Sequence, residues 1–450
     1  MTTKKKPGWS TETKTALSSV FSRFLFGAAL FFSLSAVGQS QYENIQISGD
    51  ERTPCEPSIA INPLNPDKMV AGAVLSFVYY SHDGGRAWTG DKIKSPYGVW
   101  GDPVMLSDYE GNFYYFHLSD PTGRNWSSEE ILDRIVCQKS TDGGITWSEG
   151  SYMGFAHPKD QDKEWAAVDP ISNQIYVTWT QFDKYGSSNF PEDQSNILFS
   201  TSTDGGESWS EAMAINQLAG NCLDKDSTTE GAVPSVGPNG EVYVAWSFDE
   251  KIYFDRSLDK GKSWLKDDKI VATQPGGWTH DIPGLQRCNG MPMTAVDMSE
   301  GPHRGRVYVC WADQRNGEDN VDIFLAYSDN KGDTWSKPTR VNTDKGTRHQ
   351  FLPWMTTDPL TGIVYVVFYD RRNYKDNQTD VYLARSFDGG ATFTNERISE
   401  SSFEPNRSKF FGDYNHISAY GGRVRPIWTR MHNGQLSIMT AIIEDKMEKK

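Results

Sequence analysis

Six stretches of this chain are variants of one octet: SHDGGRAW (81–88), STDGGITW (140–147), STDGGESW (202–209), SLDKGKSW (257–264), SDNKGDTW (328–335) and SFDGGATF (386–393). Self-similarity at gaps of 55 to 71 residues means that one supersecondary unit is made again and again. Each octet ends one β-rich run and begins another, as where DVYLARS precedes and TNERIS follows. It therefore reads as a hairpin turn. The acid, at 83, 142, 204, 259 and 388 with Asn at 330, can bond the backbone two residues on. Glycine supplies positive φ, and the closing aromatic packs beneath. Turn geometry alone needs all these residue types, so the octet is read as frame rather than as chemistry.

Two further elements recur. A short strand before an Asn/Asp or Gly turn appears seven times: EPSIAINP (56–63), DPVMLSD (102–108), KEWAAVDP (163–170), VPSVGPNG (233–240), MPMTAVD (291–297), LPWMTTDP (352–359) and DYNHISAY (413–420). Runs such as QIYVTWTQF, EVYVAWSFD and RVYVCWADQ follow as second strands. With the octet joining third strand to fourth, each unit has four strands. The seventh unit has no octet and no fourth strand of its own, but YENIQIS (42–48) resembles fourth strands such as KPTRVNT. The N-terminus should supply the missing strand and close a ring, which removes exposed sheet edges. The expected fold is all-β, a seven-bladed β-propeller of four-stranded antiparallel blades over residues 39–445. The alternative is six blades.

Composition agrees, with 15 Trp, 20 Tyr, 22 Phe, 40 Gly and 22 Pro suiting short strands and tight turns. Residues 1–38 differ: Lys4, Lys5 and Lys6 precede the apolar run LFGAALFFSLSAVG, and Ala36 and Gly38 fit a small-x-small cleavage site. The segment reads as a signal peptide, so a secreted or periplasmic protein is expected. The run is shorter than the ~20 residues of a membrane span, and no stable span is expected after cleavage. Residues 446–450 read as a charged, disordered tail. The net charge of −14 becomes about −18 without the leader, which argues against a nucleic-acid partner. The five cysteines form no C-x-x-C, so no zinc site is expected from them. No cofactor is expected, and no metal ligand is assigned. Cys222 and Cys288 occupy equivalent loops and are the pair to expect if a disulfide forms; free buried thiols are the alternative.

The octets lie on the face with short turns. The opposite face carries the long loops, 119–134, 182–196, 216–231 and 272–290, and function usually sits on such loops. Aligning the first strands puts Glu56, Asp102, Lys163, Val233, Met291, Leu352 and Asp413 at one level around the mouth. The next level reads Pro57, Pro103, Glu164, Pro234, Pro292, Pro353 and Tyr414. Glu56, Asp102 and Asp413 belong to adjacent blades if the ring closes. Such carboxylates suit a solvated cap, acid catalysis or substrate binding, or calcium. The second strands end in arginines: Arg315, Arg371 with Arg372, and Arg430. His280, His349 and His416 have no ligand spacing and are read as exposed.

The octets resemble the Asp-box, S-x-D-x-G-x-T-W, of the sialidase superfamily. The resemblance implies a propeller and a glycan-related role; Asp-boxes also occur in non-enzymes. Sialidases clamp a sugar carboxylate with three arginines and attack with a tyrosine activated by a glutamate. Carried over, this implies Tyr414 as nucleophile and Glu230 as its partner, with Glu164 as a second candidate. Arg315, Arg372 and Arg430 would be the clamp, and Glu56 and Asp413 would contact substrate. The match is partial. Where the family opens its first blade with R-x-P, this chain has CEP at 55–57, and RTP (52–54) lies three residues early. The loop AVLSF carries no acid, leaving Asp102 as the stand-in acid/base.

Two functions follow. One is a secreted sialidase-like glycoside hydrolase acting on terminal sialic acid or a related acidic sugar. The other is a non-catalytic propeller that binds a carbohydrate or glycoprotein through its long-loop face, using aromatics such as Trp126 and Trp278.

Overall fold

The computed structural model describes residues 41–49 and 53–445. The leader at 1–38 and the tail at 446–450 lie outside the described residues. Seven four-stranded antiparallel sheets form seven blades, so the six-bladed alternative does not apply. Blade 1 is Ser58–Ile61, Met69–Ala73, Phe77–Ser81 and Thr89–Lys92. Blades 2 to 6 start at Gly101–Ser107, Asp160–Val168, Glu230–Val236, Met293–Val296 and Gln350–Thr357. Blade 7 is His416–Tyr420, Arg423–His432 and Gln435–Glu444, and its outer strand is Glu43–Gln46. That strand pairs antiparallel with the third, Glu43 opposite Ile442 and Gln46 opposite Met439.

The order of burial follows from position in the blade. Second strands sit inside a sheet and between neighbouring blades, so they are apolar on both faces: Val364–Asp370 is buried throughout. Trp179, Trp246, Trp311 and Trp428 on the second strands of four blades are fully buried. Outer strands read the other way, and Thr89–Lys92 is exposed at every position. First strands line an axial channel of about 280 Å³, where Trp165, Trp354 and His416 meet.

Neighbouring first strands are tied across the ring. The Ser58 hydroxyl accepts from Met105 N–H at 3.0 Å, and Ser418 Oγ accepts from Ile61 N–H at 3.3 Å.

Two sequence expectations need correction, and of the two open readings of the cysteines the free buried thiols apply. Cys222 and Cys288 are not paired; all five cysteines are free and buried. His280 and His349 are buried rather than exposed, 1 % and 4 % accessible, and His416 is half-buried in the axial channel. Finally, Val233 does not share the level of Lys163. Blade 4 slips register between Glu230 and Val233 as blade 3 does between Asp162 and Trp165, which puts Gly231 at that level.

Candidate functional site

The first strands reach the mouth through β-bulges. Pairing slips between Gly101 and Val104, Asp162 and Trp165, Glu230 and Val233, and Phe351 and Trp354. The residue that opens each bulge has positive φ: Asp102 49°, Lys163 56°, Gly231 78° and Leu352 47°; Glu56 in blade 1 has 51°. Bulges re-aim side chains, and left-handed non-glycine residues are costly enough to need support from their surroundings. Here the support is a buried network of charge.

Its centre is Lys163, whose ammonium lies 3.1 Å from Asp413, 3.7 Å from Asp102 and 3.9 Å from Asp162. Burial pushes the lysine pKa down, but Asp162, Asp102 and Asp413 outweigh burial and hold it well above the usual value. Arg287, from the long loop before blade 5, grips Asp413 with Nε at 2.8 Å and Nη2 at 2.5 Å. Its Nη1 reaches Asp224 at 3.4 Å. Asp224 also accepts from the Tyr185 hydroxyl at 2.7 Å and from Trp278 Nε1 at 2.9 Å. Burial raises the Asp224 pKa, but Lys163 and Arg287 prevail and bring it to about 2.

Other acids are driven the opposite way. Burial, with Asp102 and Asp413 alongside, raises the Glu56 pKa well above the ordinary carboxylate value; its Oε1 accepts from Asp413 N–H at 3.0 Å. Burial raises Asp162 to about 7 against the pull of Lys163. Glu230 is fully buried, neither of its oxygens has a hydrogen-bond partner among the described residues, and burial, then the Asp224 charge, raise its pKa well above the ordinary carboxylate value. The site therefore holds neutral and charged carboxyl groups side by side.

Above this floor lies a cleft of about 390 Å³, lined by Glu56, Asp102, Asp162, Lys163 and Arg287 and walled by aromatics. Trp126 is 56 % exposed and stacks on Tyr185 at 5.5 Å, with Trp100 edge-on at 6.1 Å. On its far side Arg287 borders a smaller lobe with Asp224, Trp278 and Asp413.

The structure brings Glu56, Asp102 and Asp413 together. Tyr414 is 2 % exposed and packs edge-on against Trp165 at 5.2 Å; its hydroxyl has no hydrogen-bond partner among the described residues. Burial, then Asp102 and Glu56, raise its pKa well above that of a free phenol. Glu164 is buried nearby, neither oxygen has a partner among the described residues, and burial and Asp102 raise it strongly. Neither Tyr414, Glu164 nor Glu230 lines the cleft.

The three arginines do not converge there. Arg315 pairs with Asp313 at 2.5 Å and lies over Phe324. Arg372 pairs with Asp370 at 2.6 Å and reaches Asn395 at 3.0 Å. Arg430 binds Glu400 at 3.2 Å and Gln46 at 3.0 Å. Sequence reasoning did not single out Asp162, Asp224, Tyr185 or Arg287. The only signal was their place in long loops, or, for Asp162, one residue before the aligned row. Among the described residues no His, Cys, Asp or Glu group is arranged to hold a metal ion, and no helix is long and apolar enough to cross a membrane.

A BNR/Asp-box repeat model matches residues 138–149. No curated protein matches the chain by sequence. Among solved structures, an ulvan lyase of a polysaccharide lyase family, with a GlcA–Rha3S unit bound, is similar at 12% identity and TM-score 0.52, covering 89% of this chain and 96% of its own. The NanB sialidase of Streptococcus pneumoniae aligns at 10% identity and TM-score 0.49, covering 90% and 98%. A Trypanosoma rangeli sialidase aligns at 12% and 0.46, covering 79% and 55%. At these identities the likeness is one of fold.

Proposed function

We propose that this sialidase-like, seven-bladed Asp-box propeller is a glycoside hydrolase whose site is the axial cleft over Lys163. The observation that carries the reading is the gathering of Asp102, Asp162 and Asp413 around one ammonium beneath an aromatic wall. Most glycosidases need one carboxyl group that is neutral, to protonate the leaving oxygen, and a second that is charged, to attack, activate water or stabilise the cationic transition state. Asp162, at about 7, suits the acid. Asp102, ion-paired to Lys163, suits its partner. The Asp-box repeats, and a polysaccharide lyase on the same fold, favour a glycan ligand by analogy of fold only.

A sialidase-type version would use Tyr414 with Glu230 and clamp an acidic sugar with Arg315, Arg372 and Arg430. The cleft carboxyls are better supported. Tyr414 has no hydrogen-bond partner among the described residues to take its proton, and each arginine is held by an acid of its own. Export by the leader remains part of the proposal.

A second reading, glycan binding without turnover, is favoured by the exposed Trp126 platform. A panel of fluorogenic glycosides, sialosides included, separates the two. Hydrolysis that declines above about pH 7, and falls roughly 100-fold or more in Asp162→Asn, supports the enzyme. Glycan binding without sugar release supports the second reading. Neither turnover nor binding removes both.

A further inference from the structure

The charge balance of the cleft restricts its ligand. Five carboxyl groups, Glu56, Asp102, Asp162, Asp224 and Asp413, line its two lobes, against two cations, Lys163 and Arg287. Both cations are already matched. Lys163 faces three carboxylates, and its side chain is only 4% exposed. Arg287 is 45% exposed, but all three of its guanidinium nitrogens already face Asp413 or Asp224. Even with Glu56 and Asp162 left out, the three ion-paired acids Asp102, Asp413 and Asp224 outnumber the two cations. Asp102 borders the cleft; its Oδ2 is itself buried, lies 3.7 Å from the Lys163 ammonium and accepts no hydrogen bond among the described residues.

An entering carboxylate or sulfate would meet like charge in a partly desolvated space, where it is screened least. A hydroxyl or an ammonium would find acceptors there. The wall agrees, because an aromatic face carries a negative quadrupole that attracts C–H edges and cations. Trp126 offers such a face, held by Tyr185 behind it.

Resting on the carbohydrate reading above, we infer that the cleft takes a sugar free of carboxylate and sulfate. The sugar is uncharged or carries an ammonium group, and it stacks on Trp126 with a polar edge toward Asp102. A clamp for acidic sugar would need unpaired guanidinium groups in the cleft, and among the described residues the arginine that lines it is Arg287, which is already paired.

The test is a glycan array spanning uncharged, amino and acidic sugars, probed with the intact protein, followed by calorimetry on the best ligand of each class. The expected result is binding of uncharged or amino glycans at least about tenfold tighter than of sialylated, uronate or sulfated ones. Trp126→Ala should weaken the best ligand about threefold to tenfold with an unchanged circular dichroism spectrum. Because Trp126 is exposed, this variant should fold. Equal or tighter binding of acidic glycans overturns the inference and leaves the carbohydrate reading standing. Tight binding that is indifferent to Trp126→Ala overturns the stacking. Absence of binding across all classes removes the carbohydrate reading and the inference together.

Discussion

At the scale of single residues, the Asp-box is a hydrogen-bond knot. Asp142 Oδ1 accepts from Ser140 Oγ at 2.9 Å and from the N–H groups of Ile145 and Thr146, both at 3.0 Å. Its Oδ2 accepts from Thr146 Oγ1 at 2.6 Å. These bonds hold the carboxyl pKa below its ordinary value even though burial raises it. Asp142→Ala should cost about 1–2 kcal/mol, read as a shift in denaturant midpoint with an unchanged slope. The glycine that follows has a second duty. In two boxes it lies so close to the preceding blade that an added Cβ would sit 2.3 Å from Phe199 (at Gly261) or 2.1 Å from Phe254 (at Gly332). Gly332 also has φ +88°. Gly332→Ala should therefore cost more, about 3 kcal/mol in the same assay. The octet's composition thus reports turn geometry and blade contact, as its residue types imply.

At the scale of elements, the third strand of blade 4, Lys251–Ser257, buries a carboxyl in its middle. Asp255 Oδ1 accepts from Arg256 and Leu265 N–H at 2.6 and 2.9 Å, while Oδ2 has no partner among the described residues. Burial lifts the group to about 7. The folded pKa lies above the unfolded one, so the native state holds the proton more tightly. Its contribution is full below about pH 4 and is lost as pH rises through 7. Asp255→Asn keeps the Oδ1 acceptor and removes the titration. It should leave thermal stability almost unchanged at pH 4 and raise it at pH 8 by up to about 4 kcal/mol.

The bulges show what a strand pattern reveals at this scale and what it hides. Proline recurs at 57, 103 and 353, each after a residue with positive φ; at 103 and 353 it lies in a bulge, which leaves an N–H outside the ladder. That row was legible. In blade 4 the bulge pair is Gly231 and Ala232. Pro234 instead sits inside the ladder opposite Val244, on an inner edge strand that tolerates it. The two kinds of proline look alike in sequence, so the alignment slipped by two residues.

At the scale of the whole molecule, ring closure depends on a few residues. Glu43–Gln46 pairs with the third strand of blade 7, and Ile47 N–H extends the ladder to Ile438 O at 2.8 Å. A chain lacking residues 41–48 would expose the edge of Gln435–Glu444. It should melt earlier and elute as aggregate in size-exclusion chromatography, and a YENIQIS peptide added in trans should restore part of both properties. This closure was readable in advance because a unit short of one strand and a spare strand at the other terminus complete each other.

Repeat period, turn chemistry and strand alternation are local, so the sequence by itself determined the blade, the number of blades and the face that carries the long loops. The site is different in kind. Lys163 meets Asp413 across the ring, and Arg287 reaches the same aspartate from a loop 126 residues away in the chain. Each partner sits in a stretch that would look the same without the other. Which carboxyl is neutral, which is charged and which arginine is already occupied depend on burial and on charges brought together by closing the ring, and only the tertiary structure decided those.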